Sequence, residues 1–416
     1  MHCHHILSFL IGLMCHLPSA AQDYYLHATL DSIVMDAIDS MAFPGAQLLV
    51  IHDDSTIMHQ SYGYHTYAKE VAVELHHLYD LASVTKVTSG LPILMKLHGR
   101  GDFNLDLPAA QYLPELKNSN KSALTFREIL SHQARLEPYI VFWKDLLEED
   151  GSYKGRTLKT KKSRRYPIRL TDDMWLHRKY KKKMKKRIKK SPLLRDTGYR
   201  YSGLSFLLMP DMISSMIGAD FETQLYLSFY RPLGADRLCY KPLTRFPLSE
   251  VVPTERDDYF RHRMIDGDVH DEAAAMLDGI SCNAGLFGNA ESLARLFHMY
   301  MNYGILDGKR YISKATLQLF TSYQYPDSGN RRGLGFDKPQ LQYDPESSYI
   351  AESASPESFG HSGFTGTFVW ADPTHDILIV LLTNRVNPSR TNRKLYTMKI
   401  RPKLHQAIYD NLTFSN

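Results

Sequence analysis

Leu26, Leu30, Ile33, Val34 and Ile38 recur at the three- and four-residue spacing of one helix face. Phe43-Pro44-Gly45 breaks that spacing, and the apolar run from Gly45 to Ile51 predicts a buried strand. His52-Asp53-Asp54-Ser55 is turn material, so Thr56 to Tyr64 is expected to pair back as the second strand of a hairpin. The middle of the chain reads as helices and loops. Strand patterns return at Gly366 to Trp370 and at Ile377 to Thr383, separated by an Asp372-Pro373 turn, and helical spacing follows from Leu395 to Ile408. Strands near both termini with helices between them predict an α/β (α+β) fold: one antiparallel sheet built from both ends, flanked by helices, with a helical subdomain inserted in it. A cleft is expected where sheet and subdomain meet.

The 416 residues, 43% of them hydrophobic, suffice for a large core, and the formal charge of +5 is small for that length. No nucleic-acid partner is expected, because the excess of positive charge is concentrated rather than spread. At the N-terminus an apolar stretch from Ile6 to Leu17 precedes Ser19-Ala20-Ala21, which reads as a signal peptide over residues 1–21 cut before Gln22. The mature chain, 22–416, is then exported to the periplasm or secreted. Met14 before Cys15 is a poor match to the small residue a lipidation site prefers, so release rather than a lipid anchor is expected. No later segment approaches the about eighteen apolar residues of a membrane span. Cys239 and Cys282 would remain after cleavage, and their separation leaves pairing open. His76-His77 and His270-Asp271-Glu272 lack partners at metal spacing and read as structural.

One segment stands apart. Residues 145–195 open acidic and turn strongly basic at HRKYKKKMKKRIKK, where Leu176, Tyr180, Met184 and Ile188 recur every fourth residue. A lysine-rich amphipathic helix is predicted. Its charged face is either simply solvated or, over residues 176–190, a contact for an anionic membrane surface or other polyanion.

The chemistry of interest begins at Ser83-Val84-Thr85-Lys86. A serine hydroxyl is a weak nucleophile until a base takes its proton, and a lysine three residues on lies on the same face of a first helical turn. A serine at a helix start also places its own N–H among the unpaired donors of that end, where developing negative charge is favoured. In isolation the same pair is common by chance and reads more readily as a cap and a solvated lysine.

Ser83-Val84-Thr85-Lys86, then Tyr201-Ser202-Gly203, then His361-Ser362-Gly363 resemble the three ordered elements of the serine beta-lactamase and penicillin-binding-protein superfamily, closest to its class C beta-lactamase-like branch. FPGAQLLVIHD, LTFREILSHQARL, YRYSGLSFLL, VHDEAAAMLDGISCNAGLFGNAESLARLF and FGHSGFTGTFVWADP extend the likeness from about residue 30 to the C-terminus, interrupted by the basic insert. The resemblance implies a beta-lactamase/transpeptidase-like fold and a serine hydrolase working through an acyl-enzyme without metal or organic cofactor. It implies Ser83 as nucleophile, Lys86 and Tyr201 in proton transfer, and His361 facing the cleft to orient substrate or assist proton movement. The N–H groups of Ser83 and Phe364 would form the oxyanion hole. Gly203, Ser362 and Gly363 would line the substrate, Gly363 admitting its backbone. The substrate is a small molecule or cell-wall-derived carbonyl compound: an ester, amide or beta-lactam.

Two departures qualify this. Gly203 stands where the family pattern has asparagine, removing an amide that would bond substrate and lysine. His361 stands where lysine is common, removing a permanent positive charge. Both point toward esterase-like or small-amide chemistry, with a catalytically weak protein that recognises cell-wall material as the alternative. The basic insert, immediately before Tyr201, is expected near the cleft as a lid.

Overall fold

The computed structural model describes residues 19–412. The proposed leader lies almost entirely outside them. Helix α1, Ser19–Asp39, buries Leu26, Leu30 and Val34, and leads into strand β1, Gly45–His52, which turns back into β2, Ser55–Gly63. The remaining strands of this sheet come from the other end of the chain: β3, Phe359–Ser362, β4, Phe368–Asp372, and β5, Ile377–Thr383. Their spatial order is β3-β4-β5-β1-β2, every neighbouring pair antiparallel. The hairpin and the sheet shared by both termini are as expected.

β5 reads as an apolar run, and β1 as one interrupted only by the buried Gln47, because both their faces are covered. Leu48, Val50, Ile379 and Leu381 point into one core with α1 and the C-terminal helix Ile400–Asn411; Leu49, Ile51, Val380 and Leu382 point into the other, which continues through the helical subdomain. β2, at the sheet edge, buries Met58 and Tyr62 on one face only. The two cores therefore sit on opposite sides of one sheet.

Between β2 and β3 lies the subdomain. Its central helix α2, Gly90–Gly99, buries every residue from Gly90 to Met95 and then Leu97, and its C-terminal end reaches the surface. The basic insert builds a small three-stranded sheet, Leu158–Lys159, Met174–Leu176 and Ile168–Thr171, followed by helix α3, Lys179–Lys190. Tyr180, Met184 and Ile188 form the predicted stripe, each 2% exposed; Leu176 is also buried, but on the preceding strand rather than on the helix. The stripe faces the protein's own core, so its lysines alone, Lys181, Lys182, Lys186 and Lys190 among them, look outward. Ion pairs tie the insert down, Arg169 to Asp268 at 2.8 Å and Lys185 to Asp211 at 2.7 Å, and Arg187 to Asp145 at 2.8 Å closes it on itself. Among the described residues no helix is long and apolar enough to cross a membrane, and Cys239 and Cys282 are buried free thiols.

Candidate active site

Ser83 lies in a tight turn, Ala82–Val84, that runs straight into the helical turn Thr85–Thr88. Ala82, just before it, has φ +46°, a left-handed conformation costly for a residue with a Cβ. Asp80 holds that turn in place: its Oδ1 accepts from the Ala82 N–H at 2.8 Å and its Oδ2 from the His270 N–H at 2.7 Å. The strain is over-determined by a buried carboxylate.

One turn on, Lys86 is 1% exposed, and its Nζ donates to Ser83 Oγ at 3.2 Å. Two further donations go to Asn283, to its backbone carbonyl at 3.0 Å and to its side-chain Oδ1 at 2.8 Å. Among the described residues no carboxylate is paired with Lys86. The ammonium is satisfied entirely by neutral acceptors.

Tyr201 arrives from the loop after the insert. Lys86 Nζ is 5.1 Å from its ring centroid, and the rings of His132 and His361 lie 4.4 and 6.2 Å from it. Ser202 fixes the loop by donating from Oγ to the Glu137 carbonyl at 2.6 Å, while its N–H donates to His132 Nδ1 at 3.3 Å.

His361 sits on β3, 3% exposed, with Nδ1 bonded to the Ser362 carbonyl at 2.8 Å and Nε2 buried without a partner. Burial, helped by the Arg332 and Lys86 cations, pushes its pKa down to about 3, so the imidazole is neutral. Arg332 restores the permanent positive charge that His361 lacks. Its Cζ lies 5.2 Å from the Tyr201 ring centroid, its Nη2 donates to the Tyr199 hydroxyl at 3.1 Å, and its Nε and Nη1 are buried without hydrogen-bond partners. Asp337 balances it from 3.4 Å. Burial opposes ionisation of that carboxylate, but Arg332 and Arg331 outweigh it and hold its pKa well below the usual range.

β3 is the edge of the sheet, and its outer side is partly occupied. Gly360 exchanges both backbone bonds with Asp337, at 2.8 and 3.0 Å. Because outward-facing residues alternate along a strand, the Ser362 N–H is the next to face outward, its carbonyl already bonded to His361 Nδ1. Beyond it, Thr365 and Thr367 donate through Oγ1 to the carbonyls of Asp80 and Leu81 at 2.8 and 2.9 Å. These bonds stitch the Phe364 turn to the Ser83 turn. Gly363 is glycine for that reason: a Cβ there would lie 2.0 Å from Thr367 Oγ1 and 2.6 Å from the Leu81 carbonyl. What it admits closely is the protein's own backbone, not only a substrate's.

The family model described as Beta-lactamase matches residues 30–400. The chain belongs to the Beta-lactamase family. An N-acetylmuramyl-L-alanine amidase of Bacillus subtilis (strain 168) is 26% identical over 374 residues, covering 82% of this chain and 77% of its own. Two solved structures share the fold. The hydrolase EstCE1, which has promiscuous acyltransferase activity, superposes with a TM-score of 0.65 at 16% identity, covering 92% of this chain and 100% of its own. A penicillin-binding-protein homologue from Caulobacter crescentus gives 0.63 at 19% identity, covering 93% and 98%. The beta-lactamase/transpeptidase-like fold and the assignment to the hydrolases of this family follow from these likenesses.

All four expected side chains of this family member, Ser83, Lys86, Tyr201 and His361, thus converge. The amide missing at residue 203 is replaced, for its bond to the lysine, from another segment. Gly203 has no side chain, but a Cβ there would meet Asn283 Oδ1 at 2.2 Å and Cγ at 2.9 Å, so an amide from another segment fills that place. Asn283, Arg332, His132 and Asp80 carried no role in the sequence reading. His132 and Asn283 lie inside the family-like stretches LTFREILSHQARL and VHDEAAAMLDGISCNAGLFGNAESLARLF; Arg332 and Asp80 lie in none of those quoted.

Proposed function

We propose that this chain is an exported serine hydrolase that opens an ester, amide or beta-lactam carbonyl through an acyl-enzyme, with cell-wall peptide as its natural substrate class. The observation that carries the reading is the buried Lys86 ammonium on Ser83 Oγ at 3.2 Å, with no carboxylate counter-charge among the described residues. Lys86 and Tyr201 take the serine proton as the Oγ–carbon bond forms and return it to the leaving group; water then cleaves the acyl-serine bond. The Ser83 and Phe364 N–H groups carry the oxyanion, and the outward-facing N–H of Ser362 aligns the substrate along the β3 edge. Arg332 supplies a positive field for a substrate carboxylate, and neutral His361 offers its unpartnered Nε2. The name of the Bacillus subtilis relative supports a cell-wall substrate, and the leader-like residues 1–21 support export to it. The alternative of a protein with a disabled site rests on Gly203; the Asn283 amide beside it supplies the lysine contact, which supports the hydrolase reading.

The test uses residues 22–416 with a fluorescent penicillin, a p-nitrophenyl ester and an acyl-D-alanyl-D-alanine peptide, each against Ser83→Ala. Labelling and turnover that vanish in Ser83→Ala support the proposal. Wild-type turnover that survives in Ser83→Ala, or none with any reagent, overturns it.

A further inference from the structure

The place beside Gly203 is occupied from 80 residues away in the sequence, and the occupant is bound in two directions. Asn283 Oδ1 and its backbone carbonyl both accept from Lys86 Nζ, at 2.8 and 3.0 Å. Its Nδ2 donates to Asp271 Oδ2 at 3.3 Å, which fixes which end of the amide faces the lysine. Asp271 is itself anchored, its Oδ1 accepting from the Ala274 N–H at 2.7 Å to cap the short helix Glu272–Ala275. The backbone of Asn283 is held by Ser281 Oγ, which accepts its N–H at 3.2 Å. This is a rigid bracket ending on the ammonium.

We propose that Asn283 is the positioning residue that holds Lys86 against Ser83, and that residue 203 is glycine because the Asn283 amide occupies the volume a side chain there would need. The inference rests on the reading of Ser83 and Lys86 as nucleophile and proton acceptor. A lysine has three N–H donors. Two of the three go to Asn283, and the third reaches Ser83. Neutral acceptors satisfy the ammonium without the charge stabilisation of a carboxylate, which would make its proton harder to remove. Asn283 therefore fixes the direction of the lysine toward Ser83 through neutral acceptors alone.

Three comparisons test this, all on residues 22–416. Asn283→Ala is expected to lower kcat for a p-nitrophenyl ester about a hundredfold with little change in KM, as a misplaced catalytic group does. Asn283→Asp, nearly isosteric, is expected to move the rise of the kcat–pH profile to higher pH, because a carboxylate 2.8 Å from Nζ favours the ammonium. Gly203→Ala is expected to lower Tm, and the loss is expected to shrink when Asn283→Ala is also present, because the clash at 2.2 Å has been removed. Wild-type kcat and pH profile in both Asn283 variants would overturn the positioning role while Ser83→Ala still abolished turnover. Additive Tm losses in the double variant would overturn the packing relation even if no substrate were turned over. If instead Ser83→Ala retained wild-type turnover, the reading beneath the inference would be the one to fail.

Discussion

Gly363 approaches the Leu81 carbonyl so closely that a Cβ on it would lie 2.6 Å from that oxygen. This contact, with the Thr365 and Thr367 hydroxyls on the Asp80 and Leu81 carbonyls, sets the spacing between the two N–H groups assigned to the oxyanion. Gly363→Ala must push the strand end away from the Ser83 turn. A stability loss of about 1–3 kcal/mol is expected from overpacking at a site with little room to relax, together with a fall in kcat. Urea unfolding and ester kinetics on the same variant check both; an unchanged midpoint would refute the relation.

Lys86→Met keeps the length of the side chain and removes its charge. Loss of the proton acceptor is expected to cost about 10²–10⁴-fold in acylation. Stopped-flow labelling of Ser83 by a fluorescent penicillin measures it.

Acid should destabilise the fold through its buried histidines. His361 and His405 are pushed down to about 3 by burial, and His65 to about 4. Each is protonated near pH 6.5 when unfolded. Unfolding therefore takes up protons between about pH 6.5 and about pH 3, and stability falls as pH drops through that window. Tm measured against pH should decline across it, and His361→Asn should decline less steeply.

Arg332 distinguishes charged from neutral substrates. Arg332→Gln is expected to raise KM for a carboxylate-bearing peptide more than for a neutral ester, since the guanidinium lies beside Tyr201 and His361. Equal effects on the two substrates would contradict the assignment.

The exposed lysines of α3 predict salt-dependent adhesion to anionic surfaces. Charge reversal of Lys181, Lys182, Lys186 and Lys190 should weaken binding to phosphatidylglycerol vesicles at low salt, the wild-type signal itself fading as salt rises. Because Tyr180, Met184 and Ile188 are buried against the core, tryptophan or depth-probe quenching should show no insertion of the helix.

The sequence alone determined the sheet and the linear motifs. β1 and β5 could be read because burial on both faces leaves a nearly continuous apolar run, and Ser83 with Lys86 could be paired because helical spacing places neighbours three residues apart on one side. It also carried the stripe of α3, although periodicity extended that stripe to Leu176, where the chain is a strand. Tertiary structure decided what no spacing encodes. Asn283 reaches Lys86 across 197 residues, Arg332 comes to stand beside His361, and Gly363 meets Leu81, each through packing of segments remote in the chain. The amide absent at residue 203 is present at 283 because a site is defined by the volume a group occupies, and any segment the fold brings there can supply it.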